Sequence, residues 1–271
     1  MDETLETYIQ TVSDKNNEIS ERICGLLQMA TLYDVRSVDF FLACLEDESY
    51  EIRSYAINGI AVLAEQKISL PTDIEAILSN IISRDELAVQ LSVIYALGAI
   101  NTEKSLNIVL SMLKNQEPEI REASAKALYY VASPTTVQPL ITLLTDENIL
   151  VQVAAISALV KIASNEAVEP LLLLLSSDKD RVRKEAVIAL GKLADVRAIK
   201  PLITLLQTET SGQVQIAIVN ALGVFADRRT IFPLINCLIN KNKFVRSSAR
   251  HALIKLVKAC FIKKPKSELS K

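Results

Sequence analysis

The chain has 271 residues and a formal net charge of −2, so it is neither a strongly basic nucleic-acid binder nor an acidic, solvated tail. Half of its residues are hydrophobic, yet only 5% are aromatic and none is Trp. Its 6 Gly and 8 Pro are too few for an all-β fold with many tight turns. The apolar side chains are mainly Leu, Ile, Val and Ala, which suit repetitive packing of helices.

The N-terminal segment and the cysteines indicate a cytoplasmic chain. Residues 1–11 are acidic and lack the basic and apolar parts of a signal peptide. No apolar stretch reaches the ~18 uncharged residues that a membrane-spanning helix needs, so we expect no membrane span. The cysteines form no C-x-x-C pair and lie in helical apolar patterns, which predicts buried, reduced thiols at Cys24, Cys44, Cys237 and Cys260.

The first predicted elements in chain order are the least regular. An N-terminal unit is marked weakly by Ile19, and a second unit is marked by Ile52. The N-terminal unit begins with acids, as expected for the polar cap of a stack: Asp2, Glu3 and Glu6. Val89, which marks the third unit, follows Ile52 by 37 residues, and the extra residues near 66–71 predict a longer loop.

From Val89 onward the sequence repeats with a nearly constant period. Ala-Leu pairs recur in steps of 31, 31, 31, 32 and 31 residues, at Ala96, Ala127, Ala158, Ala189, Ala221 and Ala252. Pro-Leu pairs recur in steps of 31, 31 and 32 residues, at Pro139, Pro170, Pro201 and Pro233. Seven residues before each Ala of the first series stands a β-branched residue: Val89, Ile120, Val151, Val182, Val214 and Val245. Together with the two earlier units, the pattern predicts about eight units.

Each unit is predicted to form two helices, as residues 166–195 illustrate. Residues 166–176 predict a first helix, with Pro170 in its opening turn, where a missing N–H costs little. The Ser-Asp-Lys-Asp segment at 177–180 supplies turn and N-cap chemistry. Residues 181–194 predict a second helix with one apolar face, formed by Val182, Ala186, Ala189, Leu190 and Leu193.

A single two-helix unit cannot bury its apolar face, but stacked units share one continuous core. We therefore predict an all-α fold, an α-α superhelix or solenoid of helix-hairpin repeats, as one domain over residues 1–260. Residues 241–271 carry ten Lys or Arg and one acid. Within them, 261–271 predict a basic, disordered tail, although a docking role for this basic end stays open.

The pattern P-L-I-x-L-L, followed by V-R-x-x-A-x-x-A-L-G-x-L, is carried by residues 201–206 and 182–193. It resembles the HEAT-like repeats of phycobilin lyases and of many prokaryotic scaffolding proteins. The resemblance covers almost the whole chain and implies a HEAT/armadillo-type solenoid whose second helices line the concave surface. Because one fold serves many functions, the resemblance does not specify the function.

The residue after the β-branched position alternates between Arg and Gln over seven consecutive units: Arg53, Gln90, Arg121, Gln152, Arg183, Gln215 and Arg246. In such families this column forms a structural ladder with an acid in the preceding turn, such as Asp47 or Asp146. The alternative is a row of Arg side chains that grips acidic groups of a ligand.

A second column pattern predicts where a partner binds. With the β-branched residue as position 1, the core face uses positions 1, 5, 8, 9 and 12, and the opposite face uses 3, 7, 10 and 14. The opposite face holds apolar or aromatic residues in five consecutive units: Leu91, Tyr95, Tyr129, Val153, Val160, Ile188 and Ile216. With the flanking charged residues Glu122, Lys126 and Lys184 they predict a partner-binding stripe on the concave surface. Partial burial against adjacent helices is the alternative.

Residues that could perform catalysis or hold a cofactor are sparse. The single His, His251, is placed on the outer face of the last second helix, without the partners that a metal or acid–base site needs. The His-Glu pairs of HEAT-repeat hydroxylases, a Gly-rich phosphate loop and G-x-S-x-G are absent from the sequence. An acidic body without Trp is also unlike HEAT-like DNA glycosylases. We therefore predict no catalytic residue, metal, cofactor or specific nucleic acid.

The sequence favours a non-enzymatic adaptor or scaffold that holds another protein on its concave face. A hetero-oligomer with a second HEAT-repeat chain is compatible with this role. The alternative is a phycobilin lyase or lyase-like chaperone subunit that acts on a phycobiliprotein of the phycobilisome, which is the one enzymatic role the resemblance suggests.

Overall fold

The structure is a computed structural model that describes residues 2–261, with side chains from 4 to 258. Within these residues it contains 16 α-helices and no strand. The predicted all-α class and the eight helix pairs are thereby confirmed. The predicted tail, 261–271, lies outside the described side chains.

The chain divides between Thr136 and Val137 into two compact units, so the single domain over 1–260 stays a prediction. The first unit holds four helix pairs, and its helices are α1 (Asp2–Ser13), α2 (Ile19–Thr31), α3 (Ser37–Ala43), α4 (Tyr50–Glu65), α5 (Ile74–Arg84), α6 (Leu87–Ile100), α7 (Glu103–Met112) and α8 (Pro118–Val131). The predicted long loop lies between α4 and α5.

The second unit also holds four helix pairs. Its helices are α9 (Val137–Thr142), α10 (Ile149–Ile162), α11 (Val168–Leu173), α12 (Asp180–Leu193), α13 (Ile199–Thr208), α14 (Gly212–Val224), α15 (Ile231–Asn236) and α16 (Lys243–Phe261). In both units the even-numbered helices are the second helices of their pairs, and each packs against the second helices of its neighbours within the unit.

Short first helices with 3₁₀ turns at both ends occur in three of the four pairs of the second unit, while α13 extends over ten residues. The stretch predicted as one helix over 166–176 consists of a 3₁₀ turn (Asn165–Ala167), α11 and a second 3₁₀ turn (Leu174–Ser176). Pro170 is the third residue of α11, where its missing N–H breaks no helical hydrogen bond. Leu171, which follows it, is completely buried.

The second helices match the prediction more closely. Helix α12 begins and ends within one residue of the predicted 181–194. Four of its five predicted core residues are buried, and Leu193 is half-buried. Val187, which the pattern did not include, is completely buried as well, because the apolar face is wider than the predicted set.

Small residues let the second helices approach each other closely. A Cβ added to Gly191 would lie 2.9 Å from the Cβ of Ala221, and one added to Gly223 would lie 2.7 Å from the Cβ of Ala252. Both glycines occupy position 10, which the sequence pattern assigned to the face opposite the core. That assignment is wrong for these two units, because both glycines are buried in helix–helix contacts.

Most second helices end at or just before a left-handed residue that is not Gly. A positive φ occurs at Tyr33, Lys67, Asn101, Ala132, Ala163, Ala194 and Ala226. The backbone N–H of Ala194, for example, donates to the carbonyl of Leu190 at 3.0 Å. This is the helix-ending conformation that Gly normally supplies, since an L side chain in it crowds the backbone.

The cysteines lie in different environments. The prediction of buried cysteines holds for Cys44 and Cys237 but is wrong for Cys24, which is exposed on α2; the side chain of Cys260 lies outside the described residues. Burial raises the pKa of the Cys44 thiol to about 11. No helix among the described residues is long and apolar enough to cross a membrane.

Replacing Ala194 with Gly should stabilise the protein. Ala194 is exposed and has φ 54°, so the substitution removes backbone strain without removing a packed side chain. We expect the free energy of unfolding to rise by about 0.5–1 kcal/mol, measured by urea denaturation. Ala88→Gly, an exposed Ala in the first turn of α6, should instead destabilise the protein. If both substitutions changed the free energy of unfolding equally, the backbone of Ala194 would not be strained.

Replacing Gly223 with Ala should destabilise the protein, although Ala is the better helix former. The new Cβ would lie 3.0 Å from the backbone Cα of Ala252, an atom that only a helix shift can move. We expect a loss of about 1–3 kcal/mol in the free energy of unfolding. The reciprocal change Ala252→Gly in the same chain should restore part of that loss, and an unchanged loss in the double variant would contradict a steric cause.

Candidate partner-binding surface

An apolar groove runs between α12 and α14 in the second unit. It encloses about 560 Å³. Its floor lies over the close contact of Gly191 with Ala221, and Ile188 and Ile216 line it. Both isoleucines are half-buried. Two branched apolar side chains over a floor of small residues make a concave surface that suits another apolar side chain.

The two rims of this groove differ in charge. Helix α12 contributes Lys184 and Lys192, and α14 contributes the neutral Gln213 and Asn220. Lys184 lies 3.4 Å from the carboxylate of Glu185, its neighbour on α12. In the part of the chain that the structure describes, no acidic residue lines the groove. The α12 rim is therefore cationic, while the α14 rim offers hydrogen-bonding amides.

A second depression of about 550 Å³ continues from the groove toward the first turns of α12, α14 and α16. It shares Lys184, Gln213 and Ile216 with the groove and adds Arg181 and Phe244. Phe244 is 61% exposed. The one acid that lines the depression, Asp180, is engaged by Arg183 at 2.7 Å.

Three of the residues predicted for the partner-binding stripe meet in this groove. They are Lys184, Ile188 and Ile216. Val153 and Val160, also predicted, are half-buried on α10 and do not line it. The structure adds residues that the pattern missed: Lys192, Gln213, Asn220 and Val224. Position 11, one turn beyond position 7 on the same face, would have revealed Lys192 and Val224.

The predicted residues of the first unit lie on α6 and α8. Leu91 is half-buried, and Tyr95, Lys126 and Tyr129 are exposed. The Tyr95 hydroxyl donates to the Glu65 carboxylate at 2.7 Å. This hydrogen bond, with burial and the charge of Glu65, raises the pKa of Tyr95 to about 12.

The other two exposed residues of this set also have partners. Lys126 pairs with Glu122 at 2.6 Å. Tyr129 makes an edge-to-face contact with Tyr130, with the ring centroids 5.3 Å apart. The first-unit set is therefore largely aromatic, and its Tyr95 and Lys126 bond neighbouring carboxylates, whereas the groove of the second unit is aliphatic with a cationic rim.

The residues of the Arg/Gln column bind the ends of the first helices. The side chains of Arg53, Arg121, Gln152, Arg183, Gln215 and Arg246 each donate to the backbone carbonyl six residues earlier, at 2.7–2.8 Å. Gln90 donates to the carbonyls of Ile82 and Asp85, both at 3.0 Å. These carbonyls lie at or near helix ends and lack helical partners, so we infer a structural role for the column.

Two Arg side chains of this column form ion pairs with an acid of the following repeat. Arg53 bonds the Asp85 carboxylate at 2.9 and 2.6 Å, and Arg183 bonds the Glu209 carboxylate at 2.8 and 3.0 Å. The expectation that Arg53 pairs with the Asp47 side chain in its own preceding turn is wrong. That carboxylate pairs with Arg22, and Arg53 reaches only the Asp47 backbone carbonyl.

Among the described residues, no group of three or more His, Cys, Asp or Glu is arranged to hold a metal ion. His251 is exposed on α16. The candidate surface therefore offers binding chemistry: apolar contact, amide hydrogen bonds and cationic side chains.

The Arg53–Asp85 pair should make stability depend on pH. Burial of Asp85 opposes its charged form, but hydrogen bonds from Arg53 and Glu86 outweigh burial and lower its pKa from 3.8 to about 2. Because the pKa of Asp85 is lower in the folded chain than in the unfolded chain, its carboxylate stabilises the fold at any pH above the unfolded-state pKa. This stabilisation is lost as the pH falls from the unfolded-state pKa through the folded-state pKa. Asp85→Asn should therefore cost roughly 2 kcal/mol at pH 7.

The cost of Asp85→Asn should stay constant above about pH 4 and shrink toward pH 2, as measured by urea denaturation across this range. Asp39→Asn removes an exposed acid on α3 and is the matched control for net charge. A cost of Asp85→Asn that did not change with pH would contradict the ion pair.

Comparisons with known proteins give the family. The family model described as HEAT repeats matches residues 38–128, 109–188, 137–223 and 168–254. Among curated proteins, no sequence matches the chain.

Solved structures give the fold. YibA of Escherichia coli is 19% identical, with 94% of each chain covered and a TM-score of 0.60. Kap121p, bound to the extreme C-terminus of the protein phosphatase Cdc14p, is 15% identical with a TM-score of 0.67, and 95% of this chain covers 34% of that one. The CpcE–CpcF complex of phycocyanin lyase from Nostoc sp. PCC7120 is 17% identical over 83% of this chain and 89% of that one, but its TM-score is only 0.48. The family match spans most of the sequence, and the chain belongs to the HEAT-repeat family.

Proposed function

We propose that the protein is a non-enzymatic adaptor that holds another protein in the α12–α14 groove. One observation carries this proposal: among the described residues of the second unit, the apolar side chains of the groove are accessible and no helix covers them. An accessible apolar groove rimmed by polar side chains is typical of sites that bind other proteins.

The fold and the contents of the groove support this role. Kap121p, a HEAT-repeat karyopherin with a similar fold, binds the C-terminus of Cdc14p, so this architecture can hold a polypeptide segment. The groove itself has the size of a site for a few side chains, and its residues include no acid–base pair or nucleophile. A cytoplasmic location and a hetero-oligomer with a second HEAT-repeat chain remain part of the proposal.

The proposal predicts that groove variants lose peptide binding while the fold survives. We would select 16-residue peptides from a random phage-displayed library on the full chain. The enriched peptides should bind the unmodified chain and the control Leu173→Asp, whose side chain is 78% exposed on α11 outside the groove. Ile188→Asp with Ile216→Asp should weaken their binding at least tenfold, because it places two charges in the apolar floor.

Fluorescence anisotropy measures the affinities, and circular dichroism verifies that the variants keep their helices. Failure to enrich any peptide, or equal binding by the groove variant, would overturn the proposal. The alternative of a phycobilin lyase predicts a coloured covalent adduct after co-expression with a bilin source and a phycobiliprotein subunit. No observation on the described residues favours it over the adaptor.

A further inference from the structure

We propose that the segment held in the α12–α14 groove is an acidic amphipathic helix. This inference rests on the proposed function and specifies the partner's chemistry. It starts from the charge of the second-helix surface in the second unit, which is one-sided well beyond the groove itself.

The outward positions of the second helices carry only positive charge in this unit. Positions 3, 7 and 11 of α10, α12, α14 and α16 comprise twelve residues. Four of them are Lys and none is Asp or Glu: Lys161, Lys184, Lys192 and Lys255. Lys161, Lys192 and Lys255 are exposed, and Lys184 is half-exposed. An acidic segment that docks here meets four Lys side chains and no Asp or Glu at these positions.

The distance between the rim lysines sets the spacing of the partner's acids. Lys184 and Lys192 are eight residues apart on α12, which is about 12 Å along the helix. If the partner helix lies parallel or antiparallel to α12, two acidic residues seven or eight positions apart on one side of it can pair with Lys184 and Lys192. Its apolar residues at the intervening turns then face Ile188 and Ile216.

A helix suits this groove better than an extended strand. The groove walls are helices whose backbone groups are bonded within themselves, so they offer no edge for strand pairing. The amide donors and acceptors on the rim are the side chains of Gln213 and Asn220. A helix satisfies its own backbone hydrogen bonds and needs only side-chain contacts.

The composition of the groove also favours a polypeptide over nucleic acid. Its floor is aliphatic, from Ile188, Ile216 and the small residues between them. An aliphatic floor stabilises buried Leu or Ile side chains and offers bases no aromatic surface to stack on. A symmetric second copy would bring lysines against lysines.

The test uses the full chain and fluorescein-labelled peptides of 16 residues. The acidic probe has Leu at one helical face and Glu on both flanks. A second probe has Lys in place of every Glu, and a third has Pro at the centre of the acidic sequence, which breaks a helix. Affinities are measured by anisotropy at low and high salt, and a 20-base-pair DNA duplex is added as a competitor.

The unmodified chain should bind the acidic probe at least tenfold more tightly than the Lys probe and the Pro probe. Lys184→Glu with Lys192→Glu should weaken the acidic probe at least tenfold and strengthen the Lys probe. The control, Lys200→Glu with Lys241→Glu, changes two exposed lysines outside the groove by the same net charge. It should change either affinity less than threefold.

Equal binding of the acidic and Lys probes would overturn the acidic partner, and equal binding of the Pro probe would overturn the helix. Displacement of the acidic probe by the DNA duplex would assign the surface to nucleic acid instead. The library selection separates these results from the proposed function. Selected peptides that depend on Ile188 and Ile216 but lack acids would end this inference and leave the adaptor role standing.

Discussion

The close packing of second helix on second helix is the interaction on which the structure depends. A single pair of short helices cannot bury its apolar face, and three of the four first helices in the second unit have only six residues between two 3₁₀ turns. The apolar face of each pair is buried against the helix pair of the next repeat. Gly191 and Gly223 bring the helix backbones together over Ala221 and Ala252, so the stability of one repeat is inseparable from that of the next.

The Arg/Gln alternation follows from how adjacent repeats share one acidic residue. The Arg of one repeat bonds an acid in the next turn, and the Gln of that next repeat bonds the backbone carbonyl of the same acid, as Arg183 and Gln215 do at Glu209. An Arg in place of Gln215 would set two guanidinium groups against one buried carboxylate. After a Gln the turn residue is neutral, as at Asn240, whose amide lies 3.4 Å from Gln215. One acid per two repeats therefore suffices.

Sequence periodicity was enough to predict the fold, because each repeat packs the same apolar positions against the neighbouring repeat, and these positions recur every 31 residues. It predicted α12 to within one residue and its core from Val182 to Leu190. Periodicity did not predict features that depend on the local geometry of a single repeat. The 3₁₀ ends of α11 and the exposure of Cys24 depend on local geometry. The acid that pairs with Arg53 lies in the next repeat, which one-repeat reasoning could not assign.

The candidate site was predictable only in part, for a physical reason. Position 3 and position 7 indicated Lys184, Ile188 and Ile216, but the pattern could not show that two helices join them into one groove. It treated position 10 as outward-facing, whereas Gly191 is the contact that draws α12 and α14 together. The depth of the groove depends on the contact of Gly191 with Ala221. The pattern of apolar and polar positions does not predict how closely two helices approach.

The groove and the core therefore both depend on the close contact of α12 with α14, but substitutions affect them differently. The glycine–alanine contact must stay small, because any added methyl group meets backbone atoms. The residues above it, such as Lys192 and Asn220, are exposed and support no packing. They can change without loss of stability. A repeat protein of this kind keeps its fold through the buried contact while its rim residues determine which partner it accepts, and here that rim is cationic on α12 and neutral on α14.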